Sequence, residues 1–257
     1  MLLVSKNAVV FAATGAVASE VARVFAREGA AVWLSGRNLG KLETLQKTVK
    51  AAGAQAYIAQ VDATNEDEVE RYLERIHKEA GSIDVVFNGI GLSPAEMGYP
   101  ALSTSLEMDT FLKPLHIILG SQFLTSRVAG AQMMKQGSGA IVTLSATLSG
   151  TASAHMAALS STCGAVEAMT RSLAGEFGPK GVRVNCVRGS AMPETQTIKD
   201  TGAGQAKLSG EAPRFSTPPL GRAITVAETA ATAAFLASDH ASGMTGQVVT
   251  VCAGQFV

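Results

Sequence analysis

The chain has 257 residues, a formal net charge of zero and only 16% charged residues, which leaves no electrostatic footprint for nucleic acid or an acidic membrane surface. Hydrophobic residues make up 47% and aromatics 5%, a balance rich in Ala and Val that suits a buried parallel sheet under closely packed helices. No apolar stretch approaches about 20 residues without charge, so no membrane span is expected. Cys163, Cys186 and Cys252 lack paired metal spacing, which points to a reduced, cytoplasmic protein with no metal site.

The length suits one domain covering 1–257. The opening run Met1-Leu2-Leu3-Val4-Ser5-Lys6 is too short in its apolar part for a signal peptide and leads directly into a strand. Strands are predicted at Ala8–Ala12, Ala31–Ser35, Ala54–Gln60, Ile83–Asn88, Ala140–Ser145, Val182–Val187 and Gln247–Val251. Helix-period segments alternate with them, which argues for a parallel sheet wound by right-handed crossovers. Val17, Val21, Val24 and Phe25 form one helical stripe, and Val166, Met169, Leu173 and Phe177 another; both read as core faces.

Asn65 before Glu66-Asp67-Glu68 marks a helix start, with Gly81 as its stop. Thr225 with Glu228 three residues on is a capping-box pattern. From Gly189 to Thr217 the chain is rich in Gly, Pro, Ser and Thr, and Pro193, Gly202, Gly204, Gly210 and Pro213 are expected to break any long element. Such a segment, 189–217, reads as a mobile substrate lid over the carboxyl ends of the strands, or as a plain surface loop. Met192, Pro193, Leu208 and Phe215 give it a partly apolar character without naming a substrate.

The turn Ala12-Ala13-Thr14-Gly15-Ala16-Val17-Ala18 joins the first strand to the first helix. In a mononucleotide-binding fold that turn brings backbone N–H groups and a helix N-terminus against a pyrophosphate, which makes Ala12, Gly15 and Val17 candidate cofactor contacts. At the end of the second strand, Ser35-Gly36-Arg37 offers a guanidinium in place of an acid for the ribose hydroxyls. That suits a 2′-phosphate and favours NADP over NAD; the alternative is a solvated loop arginine.

These features, with Ile141-Val142-Thr143-Leu144-Ser145, the run from Gly164 to Glu176, and Gly181-Val182-Arg183-Val184-Asn185, resemble the short-chain dehydrogenase/reductase family over essentially the whole chain. The resemblance implies an α/β, single-domain, doubly wound Rossmann fold with a mainly parallel seven-stranded sheet, and a homo-oligomer, either dimer or tetramer, built partly on the last strand. It also implies an adenine contact at Asp62, a fourth-strand motif at Asn88-Gly89-Ile90-Gly91, and a nicotinamide-side contact at Thr195. Asn88 has the alternative of simply ordering the sheet. The family's glycine pattern would place Gly at 12 and 18 and at 15 or 16, and here only Gly15 is kept.

The same comparison puts Leu159 where the family carries its catalytic Tyr and Cys163 where it carries the Lys. The only tyrosines are Tyr57, Tyr72 and Tyr99, and no Lys occurs between Lys135 and Lys180. Ala146 falls at the expected Ser, one residue after Ser145, and the expected Asn falls near His116-Ile117-Ile118. Substitute groups are Ser145 and His116, with His155, Thr147 and Cys163 further candidates around one cleft; packed or surface roles are the alternative for each. Three functions remain open. One is an NADP(H)-binding oxidoreductase of altered mechanism, with water or a His as proton source. Another is a catalytically silent binding or regulatory subunit. The last is a non-redox enzyme that reuses the cleft through Ser145 and His116.

Overall fold

The computed structural model describes residues 1–209 and 217–255. Seven strands form one sheet in the order β3-β2-β1-β4-β5-β6-β7, and every strand pair is parallel. The strands are β1 (Asn7–Phe11), β2 (Ala31–Gly36), β3 (Ala56–Gln60), β4 (Val85–Asn88), β5 (Gly139–Ala146), β6 (Val182–Gly189) and β7 (Val248–Val251). Each lies within two residues of its sequence-predicted position. One boundary carries meaning: Ala12, expected to end β1, instead turns to φ 51°, and the strand stops at Phe11.

Helices α1 (Ala16–Arg27), α2 (Leu39–Ala51) and α8 (Val226–Ala237) cover one face, while α3 (Glu66–Ala80), α5 (Gly120–Gln136) and α6 (Ala157–Phe177) cover the other. Strand residues alternate between the two cores. Ala8 and Val10 meet Val21 and Phe25 of α1, whereas Val9 and Phe11 meet Val69 and Leu73 of α3. Because both faces are buried, the strands read as continuous apolar runs. Among the described residues, no helix is long and apolar enough to cross a membrane.

Local signals explain the helix ends. The Asn65 side chain accepts from the Glu68 amide to start α3, Gly81 closes it at φ 80°, and Thr225 with Glu228 forms a complete capping box on α8. The far end of α8 is closed from a distance, by the Arg183 guanidinium on β6 donating to the carbonyls of Leu236, Ala237 and Ser238. A short helix α4 (Met108–Pro114) runs into a π-helical segment, Leu115–Leu119, before α5.

The segment expected as an unbroken loop over 189–217 contains helix α7 (Gln196–Ser209), which runs through Gly202 and Gly204. Two glycines weaken a helix by about 1 kcal/mol each, so packing must supply what propensity does not. Gly204 lies so close to the Tyr99 ring that a β-carbon there would stand 2.6 Å from Cε1. Residues 210–216, which include Gly210, Pro213 and Phe215, lie outside the described residues.

The strand order changes direction at β1, which has β2 on one side and β4 on the other. A crevice opens at such a switch point, beyond the carboxyl ends of the strands.

Candidate cofactor and active site

The turn after β1 is held by two backbone bonds, Ala13 N–H to the Ser35 carbonyl (2.8 Å) and Gly15 N–H to the Ala12 carbonyl (3.0 Å). Gly15 precedes α1 in an extended conformation, and no side chain caps the helix. The first-turn amides, including that of Val17, are therefore available to an anion at the N-terminus of a twelve-residue helix. A β-carbon at Gly15 would touch only the carbonyls of Ala12 (3.5 Å) and Gly89 (3.8 Å), both ordinary contacts. The fold itself does not require glycine there.

Ala12 occupies left-handed backbone space with a β-carbon. Glycine meets no steric penalty in that conformation. Ala12→Gly is expected to raise stability by about 0.5–1 kcal/mol, read as a higher urea midpoint at unchanged slope. The reverse sign would show that the turn is not strained.

Gly89 and Ala18 form a complementary pair. A β-carbon at Gly89 would stand 2.5 Å from the Ala18 methyl, so α1 approaches the end of β4 this closely only because residue 89 has no side chain. Asn88 is buried, and both of its polar ends are used inside the protein. Nδ2 donates to Thr125 Oγ1 (3.1 Å) and Oδ1 accepts from the Ile90 amide (2.9 Å), which ties β4 to α5 and shapes the crevice wall.

At the neighbouring strand ends, Arg37 is exposed and its carbonyl accepts from Gln60 Nε2 (3.1 Å). Burial pushes the Asp62 carboxyl up, but the Thr64 hydroxyl (2.7 Å) and amide (2.9 Å), helped by the Arg37 charge, outweigh it and hold the group below its ordinary value. A guanidinium and a carboxylate therefore share the β2–β3 end of the crevice.

On the other side, the Ser145 hydroxyl donates to Glu167 Oε1 (2.8 Å). Glu167 in turn receives Arg188 Nε (2.8 Å) and Nη2 (2.5 Å), a two-pronged pair with side-chain exposures of only 6% and 15%. His116 lies exposed in the π-helical segment, a type of distortion that recurs at functional sites. Among the described residues no hydrogen bond joins His116 to Ser145, so Ser145 is brought together with Glu167 and Arg188 rather than with His116. The sequence reading missed this pair, although its signal was present as a charge facing inward from each of two largely apolar elements, Glu167 on α6 and Arg188 on β6.

Leu159 is half-buried on α6, and Cys163, one turn on, is buried. Burial above all, with the Glu167 charge, pushes the Cys163 thiol up to about 11 against a hydrogen bond from the Ala146 backbone. It is a neutral thiol at pH 7. Thr147 is half-buried at the end of β5.

The tyrosines are widely separated. Tyr57 stacks on Trp33 (4.2 Å) at the sheet edge, Tyr72 is buried under α3 with its phenol pushed well up by burial, and Tyr99 packs against α7. His155 is half-buried, with Nδ1 3.3 Å from the Ala101 carbonyl and its ring edge-on to Tyr99. Thr195, at the start of α7, is buried with its hydroxyl donating to the Met192 carbonyl (2.8 Å).

A family model described as enoyl-(acyl carrier protein) reductase matches residues 12–255. An uncharacterized oxidoreductase, YxbG, of Bacillus subtilis is 29% identical over 98% of this chain and 91% of its own. A peroxisomal 2,4-dienoyl-CoA reductase of Danio rerio is 31% identical over 92% of this chain and 77% of its own. Among solved structures, a 7α-hydroxysteroid dehydrogenase complexed with NADH and 7-oxo glycochenodeoxycholic acid superposes with a TM-score of 0.87 at 25% identity, covering 98% of this chain and 95% of that one. An NAD⁺-bound xylitol dehydrogenase gives 0.88 at 26% identity, covering 98% and 99%.

Proposed function

We propose, from the premise that the chain belongs to the short-chain dehydrogenase/reductase family and has oxidoreductases as its relatives, that it binds NADP(H) and serves as a reductase with an altered proton supply. The observation that carries this reading is the crevice at β1 and β4. The uncapped α1 N-terminus beside Gly15 supports a pyrophosphate site, and the exposed Arg37 supports a 2′-phosphate site.

NADPH, when bound, would supply a hydride to an electrophilic carbon. The chain's own residues hold the cofactor: the α1 amides at the pyrophosphate, Arg37 at the 2′-phosphate, Asp62 at the adenosine side and Thr195 at the nicotinamide side. Asn88 and Gly89 keep the wall in place. At the reacting end, Leu159 has no proton to give, and the neutral Cys163 thiol lends no positive charge to a neighbour. The proton then comes from water, or from His116 at the exposed π segment.

That surrounding favours an acceptor whose new proton goes to carbon, such as an olefin conjugated to a thioester, over a simple ketone. The names of the dienoyl-CoA reductase relatives and of the matching family model agree with such an acceptor.

The test is a calorimetric titration with NADPH and NADH. NADPH should saturate, and Arg37→Ala should weaken it by about tenfold while leaving NADH nearly unchanged, the loss of one charge-assisted contact. No binding of either nucleotide at millimolar concentration would sink the reading. NADPH oxidation with crotonyl-CoA as probe then separates a reductase from a second reading, a catalytically silent binding subunit, which Leu159 and Cys163 favour. The non-redox reading through Ser145 is weakened because that hydroxyl is already committed to Glu167.

A further inference from the structure

We infer that Tyr99 is a clasp: it seats helix α7 against the segments that follow β4 and β5 and supplies the stability that the helix's own sequence lacks. Three segments meet at this ring, each from a different crossover. Tyr99 itself belongs to the excursion after β4 and is anchored by its amide to the Pro94 carbonyl (3.0 Å). His155, from the segment between β5 and α6, presents its ring edge-on at 6.5 Å between centroids and reaches the Ala101 carbonyl of the same excursion. From α7, after β6, the Thr201 carbonyl accepts the Tyr99 hydroxyl (3.2 Å), and Gly204 lets the ring lie against the helix backbone.

Both glycines of α7 are buried, although each costs helix propensity. A glycine kept inside a helix where an aromatic ring touches its backbone is there for the approach. The start of the helix is tied down independently, with Thr195 accepting from the Ile198 amide (3.4 Å) and the Glu194 carboxylate accepting from the Val226 amide of α8 (2.7 Å). Releasing the clasp therefore loosens α7 beyond its first turn and leaves Thr195 in place. None of these interactions depends on which nucleotide binds.

The sign of one substitution tests it. In full-length protein, hydrogen exchange of residues 196–207 is followed by mass spectrometry, with the central strands as internal reference. If α7 stood by its own propensity, Gly204→Ala would slow exchange there by about fivefold. The clasp requires the opposite, because the added methyl displaces the Tyr99 ring. Exchange should then become faster by about threefold or more, as α7 gives up the hydrogen bond at Thr201 and the packing of the ring.

Tyr99→Ala should speed exchange of α7 in the parent chain by about tenfold. In the Gly204→Ala background it should slow exchange, since the collision is gone and the better helix former remains. Tyr99→Phe, which keeps the ring and removes only the donor to Thr201, should lie between parent and Tyr99→Ala. Slower exchange in Gly204→Ala with Tyr99 present, or unchanged α7 exchange in both Tyr99 variants, overturns the inference.

Discussion

Arg188→Met destabilises the fold by about 3–5 kcal/mol, read from chemical denaturation at pH 7. The loss comes less from the ion pair itself than from the charge left behind. Glu167 is buried at 6% side-chain exposure and is matched by the guanidinium through two hydrogen bonds, with Ser145 filling a further site on the same carboxylate. Removing Arg188 leaves a buried anion with only the serine hydroxyls beside it to solvate it. Replacing both members, Glu167→Leu with Arg188→Met, should recover most of the loss, because two apolar groups of similar bulk need no partner.

The pH dependence distinguishes this electrostatic origin from a simple loss of packing. In the parent chain burial pushes the Glu167 carboxyl up, but Arg188, together with the hydroxyls of Ser149 and Ser145, outweighs it and holds the group below its ordinary value near 4.5. A carboxyl lowered on folding contributes stability that is present above the unfolded value and lost as pH falls through the folded one. In Arg188→Met burial is opposed only by the hydroxyls of Ser149 and Ser145, so the folded value moves up from its parent position. The variant then lacks the stability that the parent chain gains from Arg188 as pH rises through this range. The gap between parent and variant should widen from pH 4 to pH 7, and a gap that stays constant over that range would refute the electrostatic explanation.

The residues behind this pair show where sequence reading succeeds. Asn65, Gly81 and Thr225 act on backbone groups within a few positions of themselves, so helix limits follow from neighbouring letters alone. The strands are legible because both faces of the sheet are covered, which makes each an apolar run whatever its neighbours. The phosphate turn is legible because strand, Gly15 and helix follow one another directly.

What stays hidden depends on partners distant in the chain. Glu167 and Arg188 lie on different elements, and each alone resembles a misplaced surface charge. Helix α7 reads as a broken segment because Gly202 and Gly204 weaken it; the Tyr99 ring that lies against Gly204 comes from far upstream. Ala12 reads as strand because alanine gives no sign that the backbone turns left-handed there. Gly89 explains Ala18 in the same manner, since neither residue is informative until their separation is known.

Introducing a phenol and an ammonium at positions 159 and 163 of α6 should change the chemistry by a larger factor than any deletion. The variant Ala146→Ser/Leu159→Tyr/Cys163→Lys is expected to oxidise NADPH with a simple ketone about 10²–10⁴ faster than the parent chain, the range that positioned acid catalysis supplies. The side chains now in those places account for the size of the gain. Leu159 offers no proton, and Cys163, pushed up to about 11, is uncharged at neutral pH. A lysine at 163 would stand one helical turn from residue 159 and one turn from Glu167. That carboxylate is already matched by Arg188, so the new ammonium keeps enough of its field to lower the phenol's pKa. Cys163→Lys alone should give no gain, because it adds a charge without a proton donor, and Leu159→Tyr alone should give little, because the phenol stays near its ordinary value. NADPH affinity measured alongside separates lost cofactor binding from failed chemistry. A parent chain that reduces the ketone as fast as the triple variant would show that its proton reaches the substrate by a route as effective as the family's phenol, and would move the search for that donor to His116.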